Sequence, residues 1–171
     1  MLKEPAIEAV LVHPPVAARF AAHEHPLGEL EHLGDALGVD CVVMRHDGKW
    51  MRAYDGDGAS NRDWFGWREP VLAPLDAVIE RVHVNPVVNA PGSMGDPPAS
   101  TILFRAGEVF VLYGHVDDVR VEAGQAVSAG EPVACIGNNG MSWHPHLHIG
   151  AWTEGLPLQI RFDLAAMGRL E

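Results

Sequence analysis

Two histidines at alternate positions of an apolar segment, His146 and His148, have the types and spacing that most directly suit chemistry. Side chains of a β-strand alternate between its faces and rise about 3.3 Å per residue, so both imidazoles are expected on the same side, roughly 7 Å apart. A third histidine, His115, follows another apolar, strand-like run. This arrangement suits a metal ligand beside a group that transfers protons.

The spacing alone is a weak signal, because the chain contains ten histidines and two further alternate pairs, His23 with His25 and His144 with His146. Such histidines are equally compatible with a solvated surface. Which of these histidines lie together therefore depends on how the neighbouring strands and loops are arranged.

Short apolar segments separated by turn residues predict the strands that precede the tryptophan-containing segment 55–67. Residues 39–44 are apolar and β-branched apart from Asp40, which predicts a buried strand, and Asp47-Gly48 then predicts a hairpin. A carboxylate in such a strand is costly to bury without a partner, which favours metal coordination by Asp40. Residues 16–33 mix alanines with histidines and acids, and we expect a loop there with at most one short helical turn.

The second half of the chain has two glycine turns on either side of Val127, at Gly124 and Gly130. This pattern predicts a tight crossing where short strands switch between sheets. Hardly any helical pattern precedes Asp163. We therefore predict an all-β fold, an antiparallel β-sandwich or barrel-like sheet with short strands, long loops and one short C-terminal helix.

Length and charge limit the class of protein. The 171 residues are expected to form a single domain, with an N-terminal strand and loop at 1–37, a β core at 38–152 and an extension at 153–171. The net charge of −11 argues against nucleic acid as a partner. No run approaches the roughly 20 apolar residues of a membrane span. The first eight residues do not resemble a secretion signal, so we expect a cytoplasmic protein, or an extracytoplasmic one if the start has been trimmed.

The two cysteines, Cys41 and Cys135, each lie within an apolar run. We expect buried free thiols, although a disulfide remains open because the sequence does not show whether they face each other. Neither belongs to a C-x-x-C pair, which argues against a cysteine zinc site.

Several motifs in the second half together resemble the LytM/lysostaphin-type zinc metallopeptidases, which have the duplicated hybrid motif fold, and this chain resembles a divergent member. They are Tyr113-Gly114-His115, the tandem-glycine segment 121–132, Gly137-Asn138-Asn139-Gly140 and Pro145-His146-Leu147-His148. The strand-turn-strand segment 70–79 is also similar to that family. The resemblance implies an antiparallel β fold with a narrow groove, a catalytic Zn²⁺ ion and hydrolysis of peptide bonds, typically in peptidoglycan cross-links.

The resemblance also implies roles for individual residues. His148 is implied as a zinc ligand, His146 as the general base, and His115 as a histidine that assists by donating to the developing oxyanion. The other two ligands of the family form an H-x-x-x-D motif. Its aspartate corresponds to Asp40, but Ala36 stands where the histidine is expected.

The missing histidine has two candidate replacements. His32 is taken as the ligand, eight positions before Asp40, so that His32, Asp40 and His148 supply two nitrogens and one oxygen and leave a position for water. His25 with Glu29 keeps the four-residue spacing but has a different acid, and it is held in reserve.

The sequence supports competing functions. The first is a zinc endopeptidase acting on peptides, with peptidoglycan as the expected substrate. The second is a non-catalytic metal-binding or interaction domain that retains the fold, which Ala36 and the acidic charge favour. A lipoyl-type or biotinyl-type carrier is excluded because neither lysine, Lys3 or Lys49, follows a tandem-glycine turn. A phosphotransferase carrier with two facing histidines shares the general fold but would not need Asp40.

The segment 13–31 precedes the proposed ligands in the chain and could cover the groove.

Overall fold

The computed structural model describes residues 6–28 and 36–170. Fifteen short strands make up most of its regular structure. They are β1 (Ala9–Val12), β2 (Phe20–Glu24), β3 (Val39–Val43), β4 (Arg45–His46), β5 (Met51–Arg52), β6 (Pro70–Leu72), β7 (Ala77–His83), β8 (Thr101–Ala106), β9 (Val109–Gly114), β10 (Val116–Asp117), β11 (Ala126–Val127), β12 (Pro132–Ile136), β13 (Leu147–Thr153), β14 (Leu156–Pro157) and β15 (Gln159–Phe162).

The largest sheet has eight strands in the order β11-β7-β8-β9-β13-β3-β2, with β14 paired to β13. All its pairings are antiparallel. Its end strands, β11 and β2, do not pair with each other in the described part of the chain, so the sheet stays open. A second antiparallel sheet has the order β10-β12-β6, while β1 pairs with β15 in parallel and β4 pairs with β5. The prediction of an antiparallel all-β fold is confirmed, without a closed barrel.

The α-helix in the described residues is short, as predicted. It is α1 (Leu164–Met167), and the carboxylate of Asp163 begins it by accepting hydrogen bonds from the backbone N–H groups of Ala165 and Ala166. Within residues 6–28 and 36–170, no helix is long and apolar enough to cross a membrane.

The tandem glycines connect the two main sheets. Gly124 and Gly130 have φ angles of 88° and 83°, which favour glycine. Between them β11 pairs with β7 in the large sheet, and the chain then enters β12 of the three-stranded sheet. The predicted crossing between sheets is therefore confirmed.

The core lies between these sheets. Tyr113 and Phe104 are among its largest fully buried side chains, and their rings meet edge to face with centroids 5.0 Å apart. The hydroxyl of Tyr113 donates to the carbonyl of Leu72, at 3.0 Å, and so links β9 to β6. Cys41 and Cys135 are free and buried, as expected from the sequence.

The predicted loop at 16–33 is wrong over part of its length, because Phe20–Glu24 forms strand β2 at the edge of the large sheet. It pairs with β3 through the backbone, with His23 opposite Asp40. Most of its side chains are exposed, so the sequence lacks the apolar alternation by which a strand is recognised. Residues 29–33 of the predicted loop lie outside the described residues.

Strand β13 carries His148 and places it between two neighbouring strands. It lies between β9 and β3, so His148 is opposite Gly114 on one side and opposite Asp40 on the other. The hairpin predicted at Asp47-Gly48 is present between β4 and β5, with Asp47 accepting from the backbone N–H groups of Lys49 and Trp50. These pairings bring β2, β3 and β13 side by side.

Candidate metal centre and groove

Asp40 and His148 meet directly because their strands are paired. The Nδ1 atom of His148 lies 2.7 Å from Oδ1 of Asp40. Burial alone would raise the pKa of Asp40, but the hydrogen bond to His148 and the charges of the nearby histidines hold this pKa well below its usual range. The carboxylate is therefore ionised and suited to bind a cation.

His25 reaches the same carboxylate from the end of β2. Its backbone N–H donates to the carbonyl of Gly38, at 2.8 Å, which continues the pairing of β2 with β3. Its Nε2 atom lies 3.3 Å from Oδ2 of Asp40, and its ring centroid is 5.4 Å from that of His148. The structure thus brings together His25, Asp40 and His148.

The other first-ligand candidates are placed differently. Ala36 is buried and offers no ligand atom. His32, the ligand inferred from the sequence, lies outside the described residues, as does Glu29, the acid first paired with His25. Among the candidates for the first ligand in the described residues, His25 is the histidine that contacts Asp40. The alternate histidines His23 and His25 were the available signal, but using it requires recognising β2 as a strand.

The donor set of this cluster fits zinc. The ligand atoms of His25, Asp40 and His148 all lie within 4.8 Å of one another. Two atoms bound to the same tetrahedral zinc ion at about 2.1 Å are about 3.4 Å apart, similar to the contact between His25 and Asp40. The Nδ1 atom of His25 is buried without a hydrogen-bond partner among the described residues, so the ring is oriented from its Nε2 side, where the metal would lie. Two nitrogens and one carboxylate are typical of a catalytic zinc site with a fourth position for water.

His146 lies beside this cluster with a defined proton position. Its Nδ1 atom is 2.8 Å from the carbonyl oxygen of His144, and since a carbonyl only accepts, Nδ1 carries the hydrogen. In the neutral ring the lone pair is then on Nε2, which lies 3.6 Å from Oδ1 of Asp40. Burial lowers the pKa of His146, which favours this neutral form.

His115 has the same tautomer. Its Nδ1 donates to the carbonyl of Asn139, at 2.8 Å, and its ring centroid is 4.6 Å from that of His146. Burial, followed by the charge of His146, lowers the pKa of His115 to about 3. The Nε2 atom therefore carries a lone pair in the neutral ring, so the oxyanion-donating role inferred from the sequence requires a second proton on His115.

An open groove of about 350 Å³ contains all these groups. Its lining consists of histidines around one carboxylate, with an apolar side to which Met141 and Trp143 contribute. The lining residues are His23, His25, Asp40, Val42, His115, Met141, Trp143, His144, His146 and His148. Met141 and Trp143 are about half exposed, which leaves apolar surface beside the candidate metal centre.

The profile of peptidase family M23 matches residues 67–160, more than half of the chain. The chain belongs to this family. The matched part contains His115, His146 and His148, whereas His25 and Asp40 precede it and are joined to the site by the fold. This membership confirms the resemblance to LytM-type peptidases.

Similar proteins include an uncharacterized metalloprotease of Haemophilus influenzae, 36% identical over 79 residues that cover 46% of this chain. The match spans only 15% of that relative's length. A zinc-containing peptidase from Vibrio cholerae has a TM-score of 0.53 at 18% identity, covering 96% of this chain and 40% of that one. The SpoIIQ–SpoIIIAH pore-forming complex contains a chain with a TM-score of 0.56 at 16% identity, covering 90% of this chain and 89% of that one. At such identities, the two structures show a shared fold.

Proposed function

We propose that this protein is a zinc-dependent endopeptidase that hydrolyses peptide bonds, with the cross-linking peptides of peptidoglycan as its substrate class. One observation carries the proposal. His25, Asp40 and His148 converge with His146 in a single groove, where all three histidines contact the Asp40 carboxylate, with N–O distances of 3.3 Å for His25, 3.6 Å for His146 and 2.7 Å for His148. Such convergence supports a built site over scattered surface histidines.

The metal would be held by Nε2 of His25, a carboxylate oxygen of Asp40 and Nδ1 of His148. When bound, zinc supplies a Lewis acid that polarises the scissile carbonyl and acidifies water. The lowered pKa of Asp40 favours its ionised form, and an ionised carboxylate and a neutral imidazole are the forms in which these side chains bind metals. His25 is proposed as the ligand in preference to His32 because it contacts Asp40.

His146 is proposed as the general base. Its Nε2 lone pair faces the Asp40 side of the groove, so it can accept a proton from the attacking water and return it to the leaving amine. His115 lies next to it with a second Nε2 lone pair. Donation of a hydrogen bond from His115 to the developing oxyanion requires a second proton on its ring, and because burial keeps the folded residue neutral near pH 7, that proton must be supplied during the reaction.

The substrate class rests on family membership and on the chemistry of the groove. Among the described residues, none of the ten that line the groove is lysine or arginine, and the exposed surfaces of Met141 and Trp143 are apolar. The groove is therefore suited to an extended peptide held by backbone and apolar contacts. The zinc-containing peptidase of the same fold is consistent with this assignment.

The alternative is a metal-binding or interaction domain without turnover. The separation of fifteen positions from His25 to Asp40 favours it, because it replaces the short H-x-x-x-D motif. Its fold is also shared with a component of the SpoIIQ–SpoIIIAH complex.

The test is to load the metal-free protein with one equivalent of zinc and incubate it with purified peptidoglycan and a panel of cross-link peptides. Products are identified by mass spectrometry, with His146→Ala as the control that keeps the three ligands. Zinc-dependent new amino termini, absent with His146→Ala, support the endopeptidase. Stoichiometric zinc binding without any cleavage supports the alternative, and failure to bind zinc contradicts the proposal.

A further inference from the structure

A tryptophan that does not line the groove is in contact with the residue whose carbonyl binds His146. Trp64 follows the 3₁₀ helix Asn61–Asp63 in the insertion between β5 and β6. Its ring lies parallel to that of His144, with centroids 4.4 Å apart and an interplanar angle of 5°. Within the insertion, the Trp64 ring also contacts the ring of Tyr54, with centroids 4.8 Å apart, and its Nε1 donates to the carbonyl of Gly58, at 3.0 Å. The insertion therefore holds Trp64 firmly against His144.

The carbonyl of His144 is the acceptor that fixes the proton of His146. It receives the Nδ1–H of His146 at 2.8 Å and the hydroxyl of Ser142 at 2.9 Å. The same hydroxyl oxygen lies 3.3 Å from Nδ1 of His146. Because a hydroxyl both donates and accepts, Ser142 is able to donate to Nδ1 if the carbonyl moves away.

We propose that Trp64 is a positioning residue for His146. Its stack on His144 keeps the carbonyl of that residue where Nδ1–H of His146 donates to it, so that the lone pair of the neutral ring stays on Nε2. Without the stack, the Ser142 hydroxyl donates to Nδ1 and the hydrogen moves to Nε2, where it blocks proton acceptance. The catalytic consequence rests on the proposed function, whereas the tautomer itself does not.

Trp64 is separate from the surface that a substrate meets. It is not among the residues that line the groove, whereas His144 is. Loss of the stack is therefore expected to act on turnover and to leave substrate binding nearly unchanged. Ser142 is buried, and its own carbonyl accepts from the side chain of Asn89 at 2.9 Å, so the competing hydroxyl stays in place when Trp64 is changed.

The first test measures the tautomer of His146 in the metal-free protein by two-bond ¹H–¹⁵N NMR at a pH where the ring is neutral. We expect Nδ1–H in the wild type and in Trp64→Phe, which keeps a stacking ring but loses the bond to Gly58. We expect Nε2–H in Trp64→Leu and a return to Nδ1–H in Trp64→Leu combined with Ser142→Ala. Trp67→Leu, in the same insertion, is the matched control. Retention of Nδ1–H in Trp64→Leu would overturn the proposal.

If Trp64→Leu does not fold, His144→Ala removes the stack from its other side and keeps the backbone carbonyl. Nε2–H in this variant is the expected result, and unchanged Nδ1–H overturns the proposal.

The second test measures kinetics with the zinc-loaded protein. Trp64→Leu is expected to lower kcat about tenfold or more with KM within about twofold, because small misplacements of a reacting group are costly. Trp64→Phe should recover kcat. Equal losses in both variants would assign Trp64 to packing alone and overturn the proposal. A protein without peptidase activity contradicts the proposed function, while the NMR result still decides the role of Trp64.

Discussion

The Nε2 atom of His25 lies 3.3 Å from Oδ2 of Asp40, although fifteen positions separate the two residues. The pairing of β2 with β3 explains this contact, since His25 N–H is bonded to the carbonyl of Gly38 just before Asp40. We infer that His25 takes the place that the short H-x-x-x-D motif gives to its histidine. The additional residues between His25 and Asp40 are then an insertion relative to that motif.

The two histidine candidates for the first ligand can be separated by metal binding. His25→Ala should weaken zinc binding at least about 100-fold, because it removes one of three donors. His32→Ala should bind zinc as the wild type does. The measurement is competition with a chelating dye, in the same buffer for both variants. Normal affinity in His25→Ala together with loss in His32→Ala would return the assignment to His32.

His146→Ala is expected to keep zinc and lose turnover. Proton transfer by a positioned side chain typically contributes about 10²- to 10⁴-fold, so kcat should fall by that amount while the bound zinc stays near one equivalent. Steady-state kinetics and elemental analysis on the same samples check both parts. A variant that loses its zinc as well would place His146 among the ligands.

The pKa of His115 predicts how the stability of the metal-free protein depends on pH. An unfolded histidine takes up a proton below about pH 6.5, whereas burial keeps folded His115 neutral until about pH 3. The unfolded state therefore binds more protons in this window, and stability falls as pH falls through it. One such group contributes a slope of up to about 1.4 kcal/mol per pH unit.

The check is urea unfolding at pH 7 and pH 5 in the presence of a chelator. His115→Asn removes the titrating group and suits the φ angle of 61° at this position, since asparagine tolerates positive φ. The loss of stability between the two pH values should be smaller in His115→Asn than in the wild type, by up to about 2 kcal/mol. Identical losses in both proteins would show that His115 does not carry this dependence.

Trp143 is predicted to shape substrate preference through the apolar side of the groove. Its side chain is 53% exposed and lines the groove beside the histidines. Trp143→Ser should raise KM for peptides with apolar residues next to the scissile bond and change the order of cleavage across a peptide panel. Zinc affinity should not change.

Trp50 supplies the matched control for that substitution. It is 65% exposed, but it lies at the β4–β5 hairpin and does not line the groove. Trp50→Ser should leave the preference as it is. An unchanged order of cleavage in Trp143→Ser would remove Trp143 from specificity.

Much of the fold could be predicted because its signals are local. Glycine turns at Gly124 and Gly130, the hairpin at Asp47-Gly48 and the apolar strands identify an antiparallel β protein from residues that are close in sequence. Strand β2 could not be predicted in the same way. It is an exposed edge strand, and what fixes it is backbone pairing with β3, which leaves little trace in side-chain type.

By itself, the sequence determined the family, through motifs whose residues are neighbours in the chain, and the same-side placement of His146 and His148, through the period of a strand. Only the tertiary structure decided that His25 meets Asp40, that His115 and His146 carry their hydrogen on Nδ1 when neutral, and that Trp64 stacks on His144. The physical reason is that these relationships depend on strand register and on contacts between distant segments. A short-range pattern of residue types does not specify either.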